Sequence, residues 1–334
     1  MRINTQPKGL SYIAYAGLLF ESVTAFFSRG SLGSAKDAII GFVPVMAFIY
    51  IITACGKKGV SNSEKSKAEV LLALYFFLAA ASTAQLAISF FVAAQQQLRG
   101  TQVYVLLFLA VCFYGAYLGP QALARSALPT VVITVLLLFL SLLVACLPQM
   151  NLQNLSPTIT LQGVAAHTKA YMLPPAFLMA YRYHNKPEKH EKKAVLLHLV
   201  LVQYLFLAFL ALMCNLVLGD FAPATGQPIL FLVKSGNFFG EIHFGTFCTA
   251  AILLCGVLEV AFLGYTGASI VQQQYPLIKN KNLYMTLIAF CAIIAIPMQA
   301  LPICWRAVAL LLLGALVQVL CASCGKKEVE ALKK

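Results

Sequence analysis

The chain has 334 residues, 60% of them hydrophobic and only 10% charged, with a mean hydropathy of +0.83. A soluble core of that size needs far more surface charge, so the composition excludes a soluble globular protein and points to an all-α polytopic membrane protein. The net charge of +13 does not mark a nucleic-acid partner, because Lys and Arg fall almost wholly in loops between apolar runs, where they report orientation.

A spanning helix needs about 20 mostly apolar residues. That rule predicts ten transmembrane helices, at about 10 to 27, 39 to 55, 69 to 94, 102 to 118, 128 to 148, 166 to 184, 194 to 219, 244 to 270, 283 to 300 and 303 to 322. The first is expected to stay in the chain, since Met1 to Gly9 leads into an apolar run without a small-residue cleavage site. Span one holds Gly17 and Glu21, span two Pro44, span six Pro174 and Pro175, and span nine Pro297.

Orientation follows from the cations. The amino terminus, the loops after spans two, four, six and eight, and the tail together carry 18 of the 24 Lys and Arg. The opposite side carries Arg29, Lys36, Arg99, Lys234 and Arg306, and Lys169 falls within span six. The positive-inside rule therefore places both termini in the cytoplasm, as an even number of spans requires. Ten spans with breaks in spans one and six match a five-plus-five inverted repeat within a single transmembrane domain over 1–334. Repeat one covers about 10–148, repeat two about 166–322, and a cytoplasmic tail 323–334.

The stretch from Asn151 to Lys193 organises the rest: an uncharged loop, a span interrupted at Pro174 and Pro175, then a dense cationic loop. Two successive prolines remove backbone donors and leave carbonyls unpaired where there is no water, which a bilayer tolerates only where the backbone faces protein or lines a cavity. Broken midplane helices hold substrate in many secondary transporters. The alternative is a simple kink. Farther on, Phe221 to Phe244 carries Pro223, Gly226, Pro228, Gly236 and Gly240 around an apolar core, Ile229 to Val233, too short to span; a short interfacial helix over the outer mouth is expected there.

Three charged residues fall inside spans: Glu21, Lys169 and Glu259. Each would cost about 2.5 kcal/mol or more if isolated at the bilayer centre, so partners or a wet cavity are expected. Spans one and six cross in this architecture, which makes a Glu21–Lys169 pair one solution and a snorkelling Lys169 the other. Glu259 reads either as a proton-coupling acid or as a group hydrogen-bonded to a neighbouring span. Ser82, Thr83, Gln85 and Ser89 on span three line a pocket or act as interhelical glue. The candidate ligand-binding set is Gly17, Phe20, Glu21, Gln85, Lys169, Tyr171, Pro174, Pro175 and Glu259.

Catalysis finds no footing: there is no nucleotide-binding loop, no Ser-His-Asp arrangement, and no ligand spacing between His167 and His198. Most of the ten cysteines, Cys112, Cys146, Cys214, Cys255 and Cys291 among them, sit in apolar runs as small hydrophobes. Cys321 and Cys324 have redox or zinc spacing but no second pair, and lipidation is the other reading. Neither an enzyme activity nor a cofactor or metal is expected.

Three blocks resemble the spore germination permeases, the B subunits of germinant receptors, within the amino acid-polyamine-organocation superfamily. The first runs from Tyr114 through Gly119 and Pro120 to Arg125. The second comprises Asn151, Leu152, Leu155, Ser156 and Pro157, then Gly163, Phe177 and the cluster Lys186-Pro187-Glu188-Lys189. The third is Pro228-Ile229-Leu230 with Lys234, Gly236 and Glu241. Their order and spacing make the match, over about residues 30 to 325, with Gly119, Arg125, Leu155, Pro157, Pro228 and Glu241 as motif positions. The resemblance implies a LeuT-like fold with helices 1 and 6 interrupted, in the cell membrane or spore inner membrane. It also implies a small nutrient ligand, a larger A subunit and a C-subunit lipoprotein as partners, and a role in germination; a proton-coupled amino acid permease is the alternative on the same fold.

Overall fold

The computed structural model describes residues 7–25, 36–37, 39–44, 67–95, 101–154, 159–170, 175–184, 191–219, 228–235 and 244–274. Its helices are α1 Pro7–Ala25, α2 Lys67–Gln95, α3 Thr101–Leu118, α4 Pro120–Cys146, α5 Leu161–Ala170, α6 Pro175–His184, α7 Glu191–Leu218, α8 Pro228–Ser235 and α9 Phe244–Gln274, with a 3-10 turn at Leu152–Asn154. Residues 36–37 and 39–44 are helical too, and no strand occurs among the described residues. Lipid offers the backbone no water, so each segment must satisfy its N–H groups internally.

Four helices contain stretches long and apolar enough to cross a membrane: Glu69–Ala94 in α2, Pro120–Val144 in α4, His198–Leu218 in α7 and Gly245–Gln273 in α9. The expected spans nine and ten, and most of span two, lie outside the described residues.

Two boundaries differ from the sequence reading. Helix α1 is continuous through Gly17 and Glu21, where a break was expected. One glycine among helix-forming neighbours is tolerated, and Ser22 and Thr24 turn their hydroxyls back onto the Leu18 and Phe20 carbonyls, leaving no donor to compete with the ladder. Helix α4 starts at Pro120, well before the expected residue 128, so the segment holding Arg125 is helical and not a loop. Proline at the first helical position loses no bond, and Gly119 before it has φ 85° and ψ 177°, a region that is essentially glycine-only. That single residue reverses the chain, because its N–H still reaches the Gly115 and Ala116 carbonyls of α3. In span six, α5 ends at Ala170 and α6 begins at Pro175; residues 171–174, including Tyr171 and Pro174, lie outside the described residues.

Helices α2 and α9 form the centre. They pack most extensively on each other, and α9 also packs on α4, α1 and α3. In both, 72% of the most apolar window is buried, against 28% in α4, which turns Ile133, Leu136 and Phe139 outward. Lipid tails are as apolar as leucine, so close helix approach relies on small residues. A Cβ on Gly256 of α9 would stand 2.8 Å from the Phe20 ring of α1, and one on Gly115 of α3 would stand 3.2 Å from the Ala261 Cβ of α9.

Hydrogen bonds at the helix ends show how the chain alternates. At one end Ser11 of α1 meets the Tyr181 hydroxyl of α6 at 3.3 Å, Tyr183 donates to Gln273 Oε1 of α9 at 2.9 Å, and His184 Nε2 meets Thr266 Oγ1 at 3.1 Å. At the other, the Asn151 N–H and Asn154 Nδ2 both donate to the Leu216 carbonyl near the end of α7, at 3.0 and 3.1 Å. Gly219 follows with φ 51°, and a Cβ there would collide with Asn154, 2.9 Å away. The uncharged Asn151 loop is thus a cap for α7. Helix α8, the expected short helix after α7, buries Ile229, Leu230, Leu232 and Val233 and exposes Phe231. It packs on α4, α9 and α7.

Candidate functional site

Several of the buried polar residues lie on α1, α2 and α9, which pack together. Glu21 of α1 is 4% exposed and Glu259 of α9 is fully buried. Thr83 of α2 donates its hydroxyl to Glu259 Oε1 at 3.3 Å. Among the described residues, neither the Oε2 atom of either glutamate nor the buried Tyr75 hydroxyl of α2 has a hydrogen-bond partner. The same holds there for the buried Ser82 hydroxyl of α2.

This constellation has a local origin. The Gly256–Phe20 contact lets α1 approach α9 closely, and Glu259 follows Gly256 by about one helical turn on the same face of α9. Among the described side chains the only Lys or Arg are Lys36 and Arg125, and both are exposed. No group of three or more His, Cys, Asp or Glu that could hold a metal ion occurs among the described residues, which do not include Cys321 and Cys324.

Of the sequence-derived candidates, Gly17, Phe20 and Glu21 are buried on α1, Gln85 on α2 and Glu259 on α9. Pro175 opens α6. Lys169 belongs to α5, but its side chain lies outside the described residues, as do Tyr171 and Pro174 altogether. The pairing of Glu21 with Lys169, and its alternative of a snorkelling Lys169, therefore fall on a side chain outside the described residues. Among motif positions, Gly119 makes the α3–α4 turn, Arg125 is exposed on α4 and Pro228 opens α8; Leu155, Pro157 and Glu241 lie outside the described residues.

One residue escaped the sequence reading. Asp37 is fully buried and accepts from both the N–H and the hydroxyl of Thr160, at 2.9 and 3.0 Å. Thr160 in turn caps α5, its Oγ1 accepting from the Gly163 N–H at 3.2 Å. Threonine three residues before Gly163 was a legible cap signal; its acidic anchor, far away in sequence, was not.

A family model described as a spore germination protein matches residues 68–302, more than two thirds of the chain. The matched segment contains Thr83 and Glu259, while Glu21 precedes it. No curated protein matches the chain.

Proposed function

The chain belongs to the spore germination protein family and is an integral membrane protein, and from that membership we propose that it is the transporter-fold subunit of a germinant receptor. In this reading it binds an amino acid or similar small nutrient within the membrane and passes a conformational change to an A subunit and a C-subunit lipoprotein, with both termini cytoplasmic. The family match carries the reading. Ligand contacts come from the buried polar residues of α1, α2 and α9 and from the segment around Pro174 and Pro175, where α5 gives way to α6.

A proton-coupled amino acid permease is the second reading, supported by two carboxyl groups, Glu21 and Glu259, buried in the helical core. The two part at transport. Deleting the gene should abolish nutrient-triggered germination while uptake of labelled amino acid is unaffected. Uptake into proteoliposomes that an ionophore abolishes, with germination intact in the deletion strain, would replace the receptor reading with the permease.

A further inference from the structure

We propose that the outward face of α4 binds an anionic phospholipid, with the Arg125 guanidinium on the lipid phosphate and the apolar residues after it along an acyl chain. The inference holds whether the chain senses or transports. Arg125 is the only Lys or Arg between residues 101 and 168, and no Asp or Glu occurs there. Its side chain is exposed on α4, and Leu128, Val132, Leu136 and Phe139 are exposed after it. Three or four residues apart, these positions share one helix face. The hydroxyls alongside are spent within the helix, since Ser126 donates to the Leu123 carbonyl at 3.0 Å and Thr130 to the Ser126 carbonyl at 2.8 Å.

A guanidinium on a lipid-facing helix is stable only where it reaches phosphate or water. The described carboxylates do not serve it: Glu21, Asp37 and Glu259 are buried, and Glu69 belongs to α2, whereas α4 packs chiefly on α9 and α1. On a face otherwise suited to acyl chains, the complement of this charge is a lipid phosphate, which a guanidinium holds through two parallel N–H donors. Pro129 adds a second feature, because it has no N–H to give the Arg125 carbonyl four residues earlier. That carbonyl is left for a hydroxyl donor, such as the glycerol headgroup of phosphatidylglycerol. The depth also suits a headgroup. Arg125 stands about 9 Å along α4 from the Gly119 turn, and Tyr114 and Tyr117, on the α3 side of that turn, are exposed as interfacial tyrosines are. A second cation is close in the chain's path: a Cβ on Gly9 of α1 would stand 2.9 Å from the Ala124 Cβ, which sets the backbone of Lys8 beside the start of α4. From Arg125 to Phe139 the helix rises about 21 Å, more than the roughly 15 Å of hydrocarbon in one leaflet. Leu128 therefore lies in the leaflet of the bound headgroup and Phe139 in the other.

The test uses the full chain in lipid nanodiscs, with its single tryptophan removed by Trp305→Phe and a reporter introduced by Leu128→Trp. Quenching by brominated phosphatidylglycerol against brominated phosphatidylcholine reads the local preference between the two lipids. A preference of about fivefold for phosphatidylglycerol is expected, the effect of one cation near an anionic surface. It falls to about one in Arg125→Gln and in high salt, and is largely kept in Arg125→Lys. A reporter at Phe139→Trp instead shows no preference. The proposal is overturned if the Leu128→Trp reporter shows none either, which is also the outcome if an acidic protein segment is what covers Arg125. Equal preference at Phe139→Trp, or a preference kept in folded Arg125→Gln, overturns it too. Should Arg125→Gln not fold, the salt titration of the protein with Arg125 intact decides, and a preference that salt leaves unchanged refutes the site.

Discussion

The Phe20 ring of α1 lies against the backbone of Gly256 in α9, so close that a Cβ on the glycine would stand 2.8 Å from the ring. Phe20 is fully buried and has no free direction in which to swing. Gly256→Ala should therefore force α1 off α9 and destabilise the protein by about 1–3 kcal/mol, the usual range for overpacking. Gly264→Ala on the same helix is the control, since nothing lies within 4 Å of its added Cβ. Thermal unfolding in detergent compares the two, and equal melting temperatures would refute the contact.

Asp37 and Thr160 give a second prediction. Asp37→Ala removes the acceptor for two donors at the start of α5 and should destabilise the protein by about 1–3 kcal/mol. With Thr160→Val the effects should be less than additive, as for residues sharing one interaction. Strict additivity in the double-mutant cycle would show that the contact contributes no coupling.

Gly119→Ala should be destabilising for a different reason, since φ 85° with ψ 177° is open to glycine and costs other residues about 1–3 kcal/mol. Asparagine, which tolerates the left-handed helical region, should not rescue it here. An unfolding midpoint unchanged by either substitution would contradict the turn.

Tags inserted in the loops 182–193 and 271–282 should be accessible from the same side of the membrane, because Tyr183 at the end of α6 bonds to Gln273 at the end of α9. The cations of those loops and of 56–68 assign that side to the cytoplasm. Protection of either loop in inverted vesicles, where the cytoplasmic face is outside, would reverse the assignment.

Replacing Pro174 and Pro175 together with alanine should lower the response to nutrient far more than it lowers the amount of protein in the membrane. A continuous α5–α6 helix would close its own carbonyls and withdraw them from a ligand. A normal dose-response in a germination assay, at normal protein level, would remove this segment from the site.

Length and hydropathy by themselves determined that the chain is helical and membrane-embedded, and located α2, α3, α7 and α9 to within a few residues. This works because lipid forces every spanning backbone into internal hydrogen bonding, which only a long apolar run can do as a helix. The acids Glu21 and Glu259 were also legible, since a charge in such a run is expensive and stands out. Which helices are central was not: α4 is as apolar as α2 and α9 yet largely exposed, because lipid and protein core select the same side chains and leave no amphipathic stripe. Nor did the sequence pair Asp37 with Thr160. Opposite charges invite a guess at pairing, whereas a carboxyl held by a distant threonine arises only when tertiary packing brings the segments together and a hydroxyl closes the contact.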